Sequence, residues 1–316
     1  MPKYRDQLPH LGDDLFFADG GMGTSLIFHH GLELPHFCSF PLLDDDGGRS
    51  ILLEYFRPYL ALSRELGIGF LLDSGPTWRA SADWGDRLGY DADRLARINR
   101  DAIEMMVQLR DEFETELNPI VISGCMGPRG DGYSVGERMS IAEASDYHRT
   151  QVETFAASEA DQVTAMTMTY AEEAAGIVLA AASANMPVVI SFTVETDACL
   201  PTGQSLAEAI RFVDDATDGG PSSYWINCAH PTHFDRVLDP SSDWSRRIRG
   251  IRLNASSLSH AELDEATELD AGDPETLGHE VAAICAKHPQ INLIGGCCGT
   301  DQRHIREMAL RVRANA

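Results

Sequence analysis

Short apolar runs rich in β-branched residues recur along the chain at spacings that suit strands alternating with helices. Eight runs predict strands at Leu15–Asp19, Ile68–Ser74, Ile120–Met126, Gln162–Thr169, Val188–Glu195, Ser223–His230, Ile248–Ala255 and Ile291–Cys297. Between them, apolar positions return at helical spacing. In Asp91–Glu116 the residues Leu95, Ile98, Ala102, Met106 and Leu109 mark one face, with Asp91 as N-cap and Asn118-Pro119 as a stop. Further helices are predicted over Ser50–Leu66, Ile141–Ala160, Ala171–Asn185, Leu206–Thr217, Pro274–His288 and Asp301–Val312. The stretch Asp44-Asp45-Asp46-Gly47-Gly48 reads as a loop.

Strand and helix alternating eight times imply parallel pairing and an α/β architecture. Within 316 residues this predicts a (β/α)8 TIM barrel, one domain spanning residues 1–316. The competing doubly wound sheet usually carries a Gly-rich nucleotide loop after its first strand. Here that strand leads into Asp19-Gly20-Gly21-Met22-Gly23-Thr24, which is neither GxGxxG nor a Walker A sequence. A barrel gathers its active site at the C-terminal strand ends, so chemistry-bearing residues there become neighbours.

Composition narrows the function classes. A formal net charge of −24 repels phosphate backbones and anionic lipid, so no nucleic acid and no membrane surface is expected as partner. The polar N-terminus predicts no secretory leader, and no apolar run reaches the length of a membrane span. Seven cysteines without disulfide-scaffold spacing suit a cytoplasmic protein, where thiols serve as ligands, nucleophiles or core residues.

Three of those cysteines sit at predicted strand ends. Cys228 closes the sixth strand in Trp225-Ile226-Asn227-Cys228-Ala229-His230-Pro231, and Cys297 and Cys298 close the eighth in Gly295-Gly296-Cys297-Cys298-Gly299-Thr300. At one barrel mouth, three thiols can bind zinc and leave its fourth tetrahedral position open. Adjacent cysteines reach one ion only if the backbone leaves the pleat, and the flanking glycines give that freedom. A disulfide between neighbours and a pair of inert buried thiols are the competing readings. A thiol in the open position would lose its proton and become a nucleophile. Four thiolates outweigh a divalent cation by two charges, which keeps sulfur electron-rich and argues for alkyl transfer over hydrolysis. His230 and His233 complete a Cys-x-His-x-x-His spacing but read as loop or supporting residues. Cys38, Cys125, Cys199 and Cys285 lack such context, although Cys125, beside Gly124 and Gly127, has a place at the mouth open to it.

Asp19-Gly20-Gly21-Met22-Gly23-Thr24, Ile226-Asn227-Cys228 with Pro231, and Gly295-Gly296-Cys297-Cys298-Gly299-Thr300 resemble the three signatures of the homocysteine S-methyltransferase family. The likeness runs from about Asp14 to Arg311, with Thr77-Trp78-Arg79-Ala80-Ser81 and Gly127-Pro128 also in place. It implies a barrel with Zn2+ held by Cys228, Cys297 and Cys298, and a substrate thiol at the open position. It also implies substrate contacts from Asp19, Gly20, Gly21 and Asn227. The family's glutamate for the substrate ammonium falls at Met166, which cannot pair with a cation. Glu195, at the adjacent strand end, is expected to replace it, with Asp73 as the alternative.

The expected activity is therefore a zinc-dependent methyl transfer to a small-molecule thiol, by default L-homocysteine giving methionine. The alternative is a different small thiol, because of Met166. The chain leaves no room for cobalamin or folate domains, so the simplest methyl donor is a sulfonium or quaternary ammonium compound such as S-methylmethionine, S-adenosylmethionine or a betaine. Trp78 or Phe192 would offer such a donor a cation–π face. A non-catalytic zinc or thiol-binding barrel and a metal hydrolase are the readings from other classes, and the sequence leaves an oligomer open.

Overall fold

In the computed structural model, which describes residues 1–266 and 268–315, eight parallel strands close into a barrel in the order β1-β2-β3-β4-β5-β6-β7-β8. They are β1 Phe16–Phe17, β2 Gly69–Asp73, β3 Ile120–Met126, β4 Gln162–Met168, β5 Val188–Thr193, β6 Ser223–Ala229, β7 Ile248–Leu253 and β8 Leu293–Gly296. All eight predicted strands are present. Their C-terminal residues (Asp19, Ser74, Thr169, Glu195, His230, Ala255 and Cys297) lie past the ladder, in the loops that form the mouth.

Period-two alternation sorts the side chains into two cores. One set, with Phe70, Ile122, Val163, Ile190, Phe192, Tyr224, Ile226, Ile251 and Ile294, packs outward against the helices. The other, with Phe16, Leu71, Val121, Val189, Trp225 and Leu293, fills the barrel interior, where Leu8 joins from the N-terminal segment. Gly69 and Gly250 are small by necessity: an added Cβ would lie 2.4 Å from the Phe16 ring and 2.5 Å from the Trp225 ring. Further up the strands the inward positions turn polar, with Asp73, Ser123, Thr164, Ser191, Asn227 and Arg252, all buried. A buried polar layer demands internal partners, and it forms the floor of the functional site.

The helices follow their predicted faces. Asp91 caps helix Ala92–Phe113 by accepting from the Arg94 amide. The helix stops at Phe113, and Asn118 instead folds back to accept from the Thr115 amide. Capping boxes start Ile141–Ala156 at Ser140 and Leu206–Thr217 at Ser205. The predicted loop over 44–48 is corrected: a helix runs Asp46–Leu66, and Asp45 caps it through the Gly48 amide. That cap outweighs the poor helix propensity of Gly47 and Gly48. Among the described residues, no helix is long and apolar enough to cross a membrane.

Candidate active site

One pocket opens at the C-terminal strand ends, lined by Asp19 to Thr24, Asp73, Trp78, Arg79, Cys125, Tyr133, Met166, Thr167, Arg252 and the three signature cysteines, among others. The ligand atoms of Cys228, Cys297 and Cys298 all lie within 4.8 Å of one another, the one potential metal-holding group of three or more among the described residues. The Cα atoms of Cys228 and Cys297 are 5.4 Å apart with their sulfurs in disulfide contact, while Cys298 is free and keeps some surface on the pocket. The neighbouring pair Cys297 and Cys298 is therefore not bridged.

The convergence is built by the backbone. Cys228 sits at φ 53° and Gly299 at φ 79°, so the chain leaves the pleat at both cysteine-bearing ends. For a non-glycine residue such a conformation is costly and persists where surrounding contacts enforce it. Asn254, just past β7, supplies two of them: its Nδ2 donates to the Cys228 carbonyl at 3.1 Å, and its Oδ1 accepts from the Cys298 amide at 3.1 Å. The Cys297 amide donates to Leu253 O at 2.7 Å. Gly21 packs so close that an added Cβ would stand 2.4 Å from Cys297 O, and its amide is occupied by Thr300 O at 2.9 Å. Gly20 is similarly confined, since an added Cβ would stand 2.7 Å from Thr300 O.

Tyr133, on the loop after β3, lies over the cysteines, with its hydroxyl 3.5 Å from Cys228 Sγ and 3.7 Å from Cys298 Sγ. Burial holds the Cys298 thiol above its usual pKa, against a lowering contribution from the Tyr133 hydroxyl. A thiol so placed needs a cation beside it to ionise near neutral pH, and a set of three cysteine sulfurs suits zinc once Cys228 and Cys297 are reduced.

Beside the sulfurs lies a buried ion triad. Arg252 pairs with Asp19 through Nη2 and with Asp73 through Nη1, the latter at 2.7 Å, and its Nε donates to Gly296 O at 3.2 Å. Burial alone would lower the Arg252 pKa, but Asp19 and Asp73 overcome it and raise it. Burial, with the Asp19 charge adding to it, pushes Asp73 up to about 6, and Arg252 works against that rise. The second oxygen of Asp19 accepts from the Tyr55 hydroxyl at 2.8 Å.

The other expected residues take different places. Asn227 lies beneath the pocket: its Oδ1 accepts from the Thr167 amide at 3.0 Å and from Ser191 Oγ at 2.6 Å, and its Nδ2 donates to Thr167 Oγ1 at 2.9 Å. It clamps Thr167, itself at φ 64°, to the end of β6. Glu195 does not line the pocket. Its Oε1 meets His260 Nδ1 at 2.9 Å, and His260 Nε2 donates to the Cys228 carbonyl at 2.5 Å. A strand-end acid can face along the rim as well as inward, and His260 draws this one to the rim. Met166 lines the pocket as expected. Cys125 lines it too, whereas Phe192 faces the helices and stacks on Tyr224 at 6.1 Å, leaving Trp78 as the aromatic of that pair in the pocket. His233 bonds Ser257 O at 2.9 Å, and His230 faces Glu280 at 3.5 Å, so neither joins the sulfurs.

Arg252, Asn254, Tyr133 and His260 escaped the sequence reading. Arg252 carried a signal: in Ile251-Arg252-Leu253 the outward apolar positions leave the arginine pointing into the barrel. The other three lie beyond strand ends, where periodicity is silent.

A sequence profile described as Homocysteine S-methyltransferase matches residues 16–312. The chain is 22% identical over 312 residues to Homocysteine S-methyltransferase 1 of Brassica oleracea var. italica, covering 92% of this chain and 91% of that protein. Among solved structures, the homocysteine methyltransferase MmuM of Escherichia coli in its oxidized form is similar with a TM-score of 0.74 at 17% identity, over 98% of this chain and 100% of that one. Its metallated form gives 0.68 at 17% identity, over 95% and 96%. At that identity the structural likeness speaks for the fold.

Proposed function

Because the chain belongs to the homocysteine S-methyltransferase family and is a methyltransferase acting on a thiol, we propose that it methylates L-homocysteine to methionine with a zinc ion held by Cys228, Cys297 and Cys298. The observation that carries this reading is the meeting of three sulfurs, within 4.8 Å, on the wall of a pocket that also holds the glycine turn and a buried carboxylate pair. That the E. coli relative also has a metallated form supports a metal in this protein. When bound, the ion supplies the positive charge that keeps an acceptor thiol ionised at neutral pH.

The chain's own groups do the rest. Asn254 holds the Cys228 and Cys298 backbones in register, so the sulfurs are positioned before a ligand arrives. Asp19 and Asp73, fixed by Arg252, present negative charge to the amino end of an acceptor. Trp78 offers its face to a cationic donor, and Arg79 lies 4.7 Å from that ring, setting the side on which a second cation is disfavoured. The pocket walls align donor methyl and sulfur, an orientational contribution that costs little once the site is rigid. A sulfonium or quaternary ammonium donor fits this arrangement.

A different small thiol is the second reading, favoured by Met166 in the pocket wall. Both are tested together. Reduced, zinc-loaded protein is given L-homocysteine or other thiols with S-methylmethionine, S-adenosylmethionine or glycine betaine, and the methylated thiol is quantified. Methionine formation supports the first reading; methylation of another thiol alone supports the second. No methylated thiol with any pair would remove both.

A further inference from the structure

Two of the residues lining the pocket carry a buried polar atom without a hydrogen-bond partner: Asp73 at Oδ1 and Arg79 at Nε. A buried polar atom left unpaired is costly, and in a substrate pocket the missing partner is naturally the substrate. The surroundings of Asp73 sharpen this. Both Asp19 oxygens are taken, by Arg252 and by Tyr55. All three nitrogens of Arg252 are engaged, with Asp73, Asp19 and Gly296 O. The hydroxyls of Ser123 and Thr164 stand near Asp73 and favour its charge; one donates to the other at 2.7 Å, and neither makes a hydrogen bond to Oδ1.

The charges leave the same opening. Asp19 and Asp73 carry two negative charges and Arg252 one positive, so the triad keeps one negative charge unmatched. Arg79 does not cancel it, being paired with Asp131 at 3.2 Å. The unmatched charge and the unmatched oxygen both fall to Asp73, whose side chain is 2% exposed. A thioether at Met166 cannot supply an anion, and Glu195 is held at the rim by His260.

We infer that Asp73 receives the ammonium group of the acceptor thiol in place of an acid at position 166, with Arg252 as the positioning residue that aims it. The inference rests on the thiol-methyltransferase reading and narrows it to acceptors with a primary ammonium. The unfilled Arg79 N–H offers the same pocket a place for a carboxylate, as an amino-acid thiol requires.

The test compares the binding of L-homocysteine and 4-sulfanylbutanoate, the same chain without the amino group, to reduced zinc-loaded protein by calorimetry. The wild type is expected to favour homocysteine by about tenfold to a hundredfold, the scale of one buried charged hydrogen bond. Asp73→Asn is expected to erase that preference by weakening homocysteine alone, and Met166→Glu on that background to restore it. A second readout uses the wild type only, in case Asp73→Asn does not fold. Asp19, Arg252 and Cys125 are the charged or titratable groups around Asp73, whose own pKa is about 6, so the preference is expected to shrink as pH falls through that value. Equal binding of the two thiols by the wild type, equal weakening of both by a folded Asp73→Asn, or a preference flat across pH 6 would overturn the assignment and leave the methyltransferase reading intact. Binding of neither thiol would overturn both.

Discussion

Replacing Arg252 by methionine removes the cation of the buried triad while keeping most of the side chain's length. In the folded protein Arg252 is 9% exposed, and its partners Asp19 and Asp73 are 5% and 2% exposed. The substitution therefore strands two carboxylates away from water. Removing one partner of a buried ion pair costs about 3–5 kcal/mol. At about 2–4 °C per kcal/mol for a large domain, the melting temperature should fall by on the order of 10 °C. The loss also has a pH signature. Asp73 is ordinarily a carboxyl of pKa 3.8 and is raised to about 6 in the folded protein, and losing Arg252 raises it further. A raised carboxyl pKa means that the folded state binds the proton more tightly than the unfolded state. The associated stability is present at low pH and is lost as pH rises through the folded value. The deficit of Arg252→Met should therefore be largest near pH 8 and shrink toward pH 5. Thermal unfolding followed by circular dichroism at both pH values measures it. Arg246→Met, at an exposed pair with Asp243, serves as a control expected to change little. A drop below about 2 °C at pH 8, or one that does not ease on acidification, would refute the assignment of Arg252 as the cation that stabilises this layer.

Further outcomes follow from the same geometry. Cys298→Ser should lower zinc content, measured by elemental analysis, and abolish turnover in a protein of unchanged circular dichroism. Gly21→Ala forces a Cβ to 2.4 Å from Cys297 O, a backbone atom, and should cut thiol-methylating activity by at least about tenfold, because backbone cannot rotate away. Asn227→Ala leaves the Thr167 amide and Ser191 Oγ without their partner and should cost about 1–3 kcal/mol in chemical denaturation, with a fall in activity as Thr167 relaxes.

The barrel was legible because burial on both strand faces leaves long apolar runs, and β3 at Ile120–Met126 coincides with its predicted span. The C-terminal strand ends were less so. Asp19, Glu195 and Cys297 follow close on the apolar runs in sequence but leave the ladder in space, since that is where the loops turn. The cysteine convergence was readable from two strand ends bracketed by glycine. The acid meant to replace the one at 166 was not. Strand position places Glu195 and Asp73 at one mouth, but the direction each side chain takes depends on its partner. His260 draws Glu195 to the rim, and Arg252 draws Asp73 inward. Asn227 was expected at the substrate and instead braces Thr167, a role that only the left-handed turn at the end of β4 reveals.

The three-cysteine site is proposed to present an ionised acceptor thiol to a methyl donor. The direct measurement titrates reduced, zinc-loaded protein with L-homocysteine by calorimetry in two buffers of different ionisation enthalpy. The expected result is binding with release of a proton, visible as a heat that changes with the buffer and lost in Cys298→Ser. Binding whose heat is the same in both buffers, or that survives unchanged in Cys298→Ser, would contradict it.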